Sequence, residues 1–534
     1  GRLSALRFAG RTPDRLIVAP SDLRAADPYI AEEFTAGRIS LGGRLLDTEG
    51  ESPFRLELPS REFAARLHGF SWLRHVRAAQ SEVHSAHARR VVAEWLDSHG
   101  RRMVGIAWEV DIVAQRVIAW LSHSPVVLKG ADIGFYRRFL KSLAVQVRFL
   151  KHMAPHAPDG EVRMRCRIAL AIASLAMPAS QGTIRRAARK LDAEIERQIL
   201  ADGGHVSRNP RVGLELLLDL LPLRQTYVNL GHDVPLKLIP TIDRMFPALR
   251  FFRHQGGELA LFNGATTTLA NELMSVLRYD ETGGLPFKSL PHLHYHRLAV
   301  KDVVLIMDTG KPMSLELSAS AHAGCLSFEM SSGRYRFIIN SGAPRFAGED
   351  FRQLARSTAA HSTAVLNDTS SSRMSKSAWL GPIIVSGVAC VDVSRQESHE
   401  GAEGVTASHD GYVRLFGLVH ERSIAVNSAG TLIRGRDRFI AADGSDPGED
   451  DVNRAVIRFH IHPQIELHNI DDHEISLVAP DGETWLFSTL DAPVVIEEDV
   501  FFADPSGIRA SQQIEIAFTV GEVPEVQWVL QKKG

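Results

Sequence analysis

Residues 327–339 read SFEMSSGRYRFII. The runs Ser327–Met330 and Tyr335–Ile339 flank the turn Ser331-Ser332-Gly333-Arg334. Two short apolar runs joined by four turn-forming residues predict an antiparallel hairpin. The same grammar holds from about Leu290 to the end. Phe459, Ile461 and Ile465 alternate with His460, His462 and Gln464, and Gly, Asp, Asn and Ser break the chain at short intervals. Period-two patterning of this kind predicts stacked antiparallel sheets. Gln396–Val405, rich in Glu, Gly and Ala, is expected as a loop, and His460 and His462 as part of an outward polar face.

Upstream of Leu277 the period changes. Phe135, Phe139, Leu140, Leu143, Val147 and Leu150 recur at three- and four-residue steps, as do Ile184, Ala187, Leu191, Ile195 and Ile199. These are the apolar stripes of amphipathic helices. Asp202-Gly203-Gly204 then stops the second one, as a glycine cap would. Further helices are expected at Arg61–Ala79, Ser85–Asp97, Asp111–Ser122, Val162–Ala176, Gly213–Leu221, Leu236–Phe246 and Thr267–Leu277. The division is therefore a helical domain over 1–285 and a β domain over 286–534, with a cleft expected between them.

Bulk properties narrow the function classes. A chain of 534 residues with 44% hydrophobic and 23% charged residues buries a large core, and a net charge of −2 offers no basic nucleic-acid face. No apolar run reaches the roughly 18–20 residues of a membrane span. The three cysteines, Cys166, Cys325 and Cys390, are odd in number and form no metal knuckle. The expectation is a soluble protein, cytoplasmic as written and periplasmic if a signal has been removed. A homodimer and other oligomeric states stay open.

Five strings, in order, then carry a likeness. Trp108-Glu109 with Arg116 and Trp120, Asp202-Gly203-Gly204-His205 with Arg208 and Pro210, Ala321-His322-Ala323 leading to Phe328-Glu329, Arg356-Ser357-Thr358-Ala359-Ala360-His361, and His409-Asp410-Gly411-Tyr412 resemble motifs of the bacterial heparinase II/III family. The resemblance implies an incomplete (α/α) toroid followed by an antiparallel β-sandwich. It also implies cleavage of an acidic, uronate-containing polysaccharide by β-elimination, in which a base takes the proton α to the carboxylate and donors hold the developing enolate.

The family's catalytic positions are not kept. Its Asn-His pair falls at Glu161-Val162, its Tyr at Val212, and the first His of its HxH strand at Ser320. Its zinc ligands fall at His322, Asn340 and His361, where an amide replaces a carboxylate and would hold zinc more weakly. His205 and Glu161 are the catalytic candidates that remain. Glu161, with a second carboxylate from Glu109, Asp111 or Glu215, would suit glycoside hydrolysis. Trp108, Arg116, Arg208, Asn209, Tyr295 and Arg356 are candidates for binding sugar rings and carboxylates. The leading expectation is a lyase-like enzyme with a rearranged site. The alternatives are a hydrolase using Glu161 and a non-catalytic carbohydrate-binding protein.

Overall fold

A computed structural model describes residues 3–534. The chain forms two compact units that interleave in sequence. The first holds the residues up to Ile199 together with Leu214–Asp243 and Asn271–Asp280; the second holds Leu200–Gly213, Arg244–Ala270 and Glu281–Gly534. The change of secondary structure expected near 285 is present, since the last helix before the sheets is Ala270–Leu277 and the first large-sheet strand is Ser289–Leu290. Two segments that precede this change, including the Asp202-Gly203-Gly204 turn, nevertheless belong to the β unit.

The helical unit follows the apolar stripes. Ile133–Met153 starts where the Asp132 carboxylate accepts from the Phe135 amide, and it buries Phe135, Phe139, Leu140, Leu143 and Leu150. Val110–Ser122 packs against Arg61–Gly69 and Glu161–Ala176, which packs in turn on Gln181–Gln198. The expected single helix over Arg61–Ala79 is two, because Phe70 adopts a left-handed conformation at φ 60° between them.

In the β unit, nine strands form one antiparallel sheet. Its order runs Val494–Asp504, Gly507–Thr519, Arg454–Ile461, Tyr335–Ile339, Phe328–Ser332, Val303–Asp308, Tyr295–Val300, Ser289–Leu290, and Ala364–Leu366 pairs with Arg454–Ile461 off this path. Eight more form a second sheet from Val391–Glu397 to Glu466–Asp471. The predicted hairpin is present, with Ser332 paired to Tyr335 and Met330 to Ile338. Phe328 and Phe459 of the first sheet meet Trp528 of the second at ring-centroid distances of 5.6 and 4.9 Å. A methyl group on Gly435 would lie 2.0 Å from the Trp528 ring, so only glycine fits beside that indole.

Two expectations fail here. Gln396–Val405 is a hairpin turn rather than a loop, because Glu397 pairs with Glu403 and the intervening Ser398 hydroxyl accepts from the Ala402 amide. Its polar composition reflects a solvated sheet face. His460 and His462 are buried rather than outward; His460 Nδ1 lies 2.5 Å from Asp499 and its Nε2 donates to the Ala359 carbonyl at 2.8 Å.

Candidate functional site

The turn at 202–209 is built from contacts that each of its residues requires. Asp202 Oδ2 accepts from the His292 and Leu293 amides, both at 2.9 Å. Gly203 sits at φ 85°, and a methyl group there would lie 2.0 Å from the Arg244 carbonyl oxygen. A methyl on Gly204 would lie 2.5 Å from Leu293. The turn is therefore pinned to two other segments of the β unit. His205, expected at an exposed loop, is 3% exposed. Its Nδ1 accepts from the Ser207 amide at 3.0 Å and faces the Ser207 hydroxyl at 2.8 Å, so the neutral ring carries its proton on Nε2.

Arg208 follows at φ 62° and is also buried. It donates to the Leu293 and His294 carbonyls and to Asp308 Oδ1, the last at 2.5 Å, and its guanidinium stacks 4.6 Å from the Tyr295 ring centre. Burial opposes the positive charge, but Asp308 outweighs it and holds the guanidinium above its ordinary range. Tyr295 donates to the Arg208 carbonyl at 2.6 Å and accepts from Asn263 Nδ2 at 2.8 Å. Burial pushes the phenol well above its usual range. Asn263, His294 and Leu326 join Arg208 in the left-handed region at φ 50°, 64° and 65°. Backbone strain gathered in one network is characteristic of functional sites.

The next residues bring His322 into this network. Its amide donates to Asn263 Oδ1 at 3.2 Å, and its Nδ1 lies 3.1 Å from His361 Nε2. His361 Nδ1 donates to the Ser357 carbonyl at 2.7 Å, an oxygen that can only accept. The neutral His361 therefore presents a lone pair at Nε2, His322 donates to it from Nδ1, and His322 Nε2 is left as an acceptor. Burial keeps both rings neutral, lowering His361 to about 4 and His322 well below its ordinary range. Gly264, at φ 92°, opens a notch beside this nitrogen. A methyl group there would lie 3.2 Å from the Ser320 carbonyl oxygen, 3.6 Å from Asn209 Nδ2 and 3.9 Å from His322 Nε2. Neither Asn209 Nδ2 nor His322 Nε2 has a hydrogen bond among the described residues.

Of the expected zinc ligands, His322 and His361 face each other, while Asn340 is bound to backbone. Asn340 Oδ1 accepts from the Ser362 amide and its Nδ2 donates to the Leu261 carbonyl, so its amide is spent on backbone. No cluster of three or more His, Cys, Asp or Glu able to hold a metal exists among the described residues.

Residues 282–529 match the family described as Heparinase II/III-like, C-terminal. The C-terminal part of the chain is thus a heparinase II/III-like domain. The crystal structure of heparinase III superposes with a TM-score of 0.76 at 14% identity, over 99% of this chain and 88% of that one. Heparan sulfate lyase HepC from Pedobacter heparinus gives 0.60 at 15% identity, over 99% and 87%. These likenesses establish the heparinase fold, a helical toroid followed by an antiparallel β-sandwich. FtsZ-localized protein C of Caulobacter vibrioides is 29% identical over 544 residues, covering 99% of this chain and 92% of that protein.

Several residues expected to bind substrate are instead internal. Arg116 is fully buried, donates to Gln146 and to the His68 and Ala107 carbonyls, and lies 4.2 Å from the Trp95 ring centre. Trp108 is buried and donates to the His99 carbonyl. In the β unit, Arg356 is buried and donates to the Ala321, Ser318 and Pro382 carbonyls, and Tyr295 is wholly enclosed. Glu161 begins helix Glu161–Ala176 and pairs with Arg165 at 3.1 Å. Although 37% of its side chain reaches solvent, local desolvation lifts its carboxyl above the ordinary range, and Glu215 and Asp111 add to the lift. Arg165 also pairs with Asp111, so Glu161 and Asp111 converge on one cation. Asn263, Gly264 and Asp308 were not singled out by sequence, although the Asn263-Gly264 dipeptide is a recognisable turn signal.

Proposed function

We propose that this protein holds a sugar at the Gly264 notch without cleaving it by β-elimination. The observation that carries this reading is the commitment of the chemistry-bearing groups. His205 Nδ1 serves Ser207, Tyr295 donates to the Arg208 carbonyl, and Arg208 and Arg356 are tied to the protein's own oxygens. Beside Gly264 stand a donor, Asn209 Nδ2, and two acceptors, His322 Nε2 and the Ser320 carbonyl oxygen. Paired sugar hydroxyls match that set. A His322 held neutral by burial is a good acceptor and a weak base.

The likeness to FtsZ-localized protein C supports a division-site setting for this binding. The family fold favours lyase activity as a second reading, and the Glu161–Asp111 convergence favours hydrolysis as a third. One assay separates them. The protein is incubated with heparin, heparan sulfate, alginate and a neutral glucan, following unsaturated uronate by ultraviolet absorbance, new reducing ends, and retention in affinity electrophoresis. Saturable retention without either product, lost in Gly264→Val, is expected. Unsaturated product establishes the lyase, and reducing ends alone that disappear in Glu161→Gln establish the hydrolase. Either result overturns the proposal, as does retention unchanged in Gly264→Val. A fluorescent fusion that stays dispersed while FtsZ assembles refutes the division-site setting.

A further inference from the structure

The helical unit contains a cavity of about 670 Å³, bounded by the segment Arg11–Asp14 and by helices Ile133–Met153, Glu161–Ala176 and Gln181–Gln198. That volume lies within the roughly 300–1,000 Å³ range of small-molecule sites. The N-terminal segment is held as a wall by Arg148, which donates to the Phe8 carbonyl at 3.1 Å and to the Arg11 carbonyl. A methyl on Gly10 would lie 2.9 Å from the Arg148 guanidinium carbon, so glycine lets the strap lie flat on that side chain. Phe8 packs edge-on against Phe149 at 5.7 Å and anchors the other side.

The lining has two characters. Val147, Leu170, Ala173 and Met177 make it apolar, while Arg11, Arg148 and Lys151 make it cationic. Asp14 is the one acidic residue among the lining residues. Arg186 and Lys190, on the helix that contributes Thr183 and Ala187 to the lining, add positive charge near Lys151. Lys151, Arg186 and Lys190 have no ion pair or hydrogen bond among the described residues. The start of Gln181–Gln198 also lies here, where Ser180 caps the Thr183 amide, and a helix start carries partial positive charge. Burial, and then Arg186, Arg148 and Lys190, depress the Lys151 ammonium.

We infer that this cavity binds a small organic anion, with the apolar lining taking its body and Lys151 and Arg11 taking a carboxylate, sulfate or phosphate. The site lies wholly within the helical unit and does not depend on the Gly264 notch.

Equilibrium dialysis with 4-nitrophenyl phosphate, 4-nitrophenyl sulfate and 4-nitrophenyl glucuronide tests this, with 4-nitrophenyl glucoside as the neutral control. At least one anion should bind saturably to one site, more than tenfold tighter than the glucoside, and the preferred headgroup identifies the ligand source. Lys151→Glu should weaken it at least tenfold. Ala187→Phe, which fills the cavity without changing charge, should abolish it. Lys190→Glu, an exposed change outside the packing, should weaken it several-fold, so misfolding of one variant does not decide the matter. Equal binding of the glucoside, no saturable binding of any anion, or affinity unchanged in both charge variants overturns the inference.

Discussion

Arg208 and Asp308 form a buried ion pair whose partners stand 100 residues apart, and the pair supports the turn, the Tyr295 ring and the approach to Gly264 together. Two ions taken out of water gain little net stability while both are present, but removing one strands the other. Arg208→Met should therefore destabilise the protein by about 3–5 kcal/mol. Arg208→Met with Asp308→Leu should recover a large part of that loss. Urea denaturation of the wild type and both variants checks this; a double variant as unstable as the single one would show that Asp308 is not the relevant partner. The sequence marks Arg208 as a residue of interest, because an arginine beside a glycine turn is a natural ligand for a carboxylate. It gives no sign that the carboxylate belongs to Asp308, since a side-chain contact at that range is set by tertiary packing. His205 illustrates the same limit: a loop position suggests exposure, yet the ring is enclosed and spent on Ser207.

At the scale of elements, Asp202-Gly203-Gly204 is legible as a helix stop, but the reason for its glycines is not. The preceding helix Gln181–Gln198 ends on Ile199 in an extended conformation, so no glycine caps it. Gly203 is demanded by the Arg244 carbonyl and Gly204 by Leu293, contacts from segments 40 or more residues away. A glycine required by close approach behaves differently from one that is merely tolerated, and Gly213 is of the second kind. It lies in helix Pro210–Leu230, and a methyl group there meets nothing within 4 Å. The same substitution should thus have opposite signs at two sites ten residues apart. Gly203→Ala combines a left-handed backbone with a clash and should cost at least about 2 kcal/mol. Gly213→Ala should stabilise by about 0.5–1 kcal/mol through the entropy of the unfolded helix. Thermal melts of the two variants decide it, and a neutral Gly203→Ala would mean the turn is free to move. Amphipathic stripes and the hairpin were legible because period reports burial; the turn at 398–402 was not, because a solvated hairpin and a loop share one composition.

Across the whole molecule, a set of histidines is buried in neutral form, and this sets how the protein responds to acid. In the helical unit burial lowers His68 to about 3 and His75 to about 4. In the β unit it lowers His361 and His296 to about 4 and His462 to about 2, with His322 and His409 also well below the ordinary value. The unfolded chain binds protons at these rings near pH 6.5, whereas the folded chain does not until far lower. Their contribution to stability is therefore fully present above pH 6.5 and is lost as pH falls toward about 4. Each such group steepens the loss by up to about 1.4 kcal/mol per pH unit. Two carboxyls oppose this, because Glu161 and Asp192 are raised by desolvation and favour the folded state as they protonate. They are outnumbered. The depressed carboxylates Asp22 and Asp437 act only lower, since their contribution persists until pH drops below the ordinary aspartate value. A net stability of 5–15 kcal/mol, the usual range for a folded domain, cannot absorb several such slopes at once. The melting temperature at fixed ionic strength should be highest near pH 7 or above and fall continuously from pH 6.5, with cooperative unfolding before pH 4. A melting temperature that stays level between pH 7 and pH 5 would mean these imidazoles gain solvent or a carboxylate partner on protonation, and the buried neutral set would have to be abandoned.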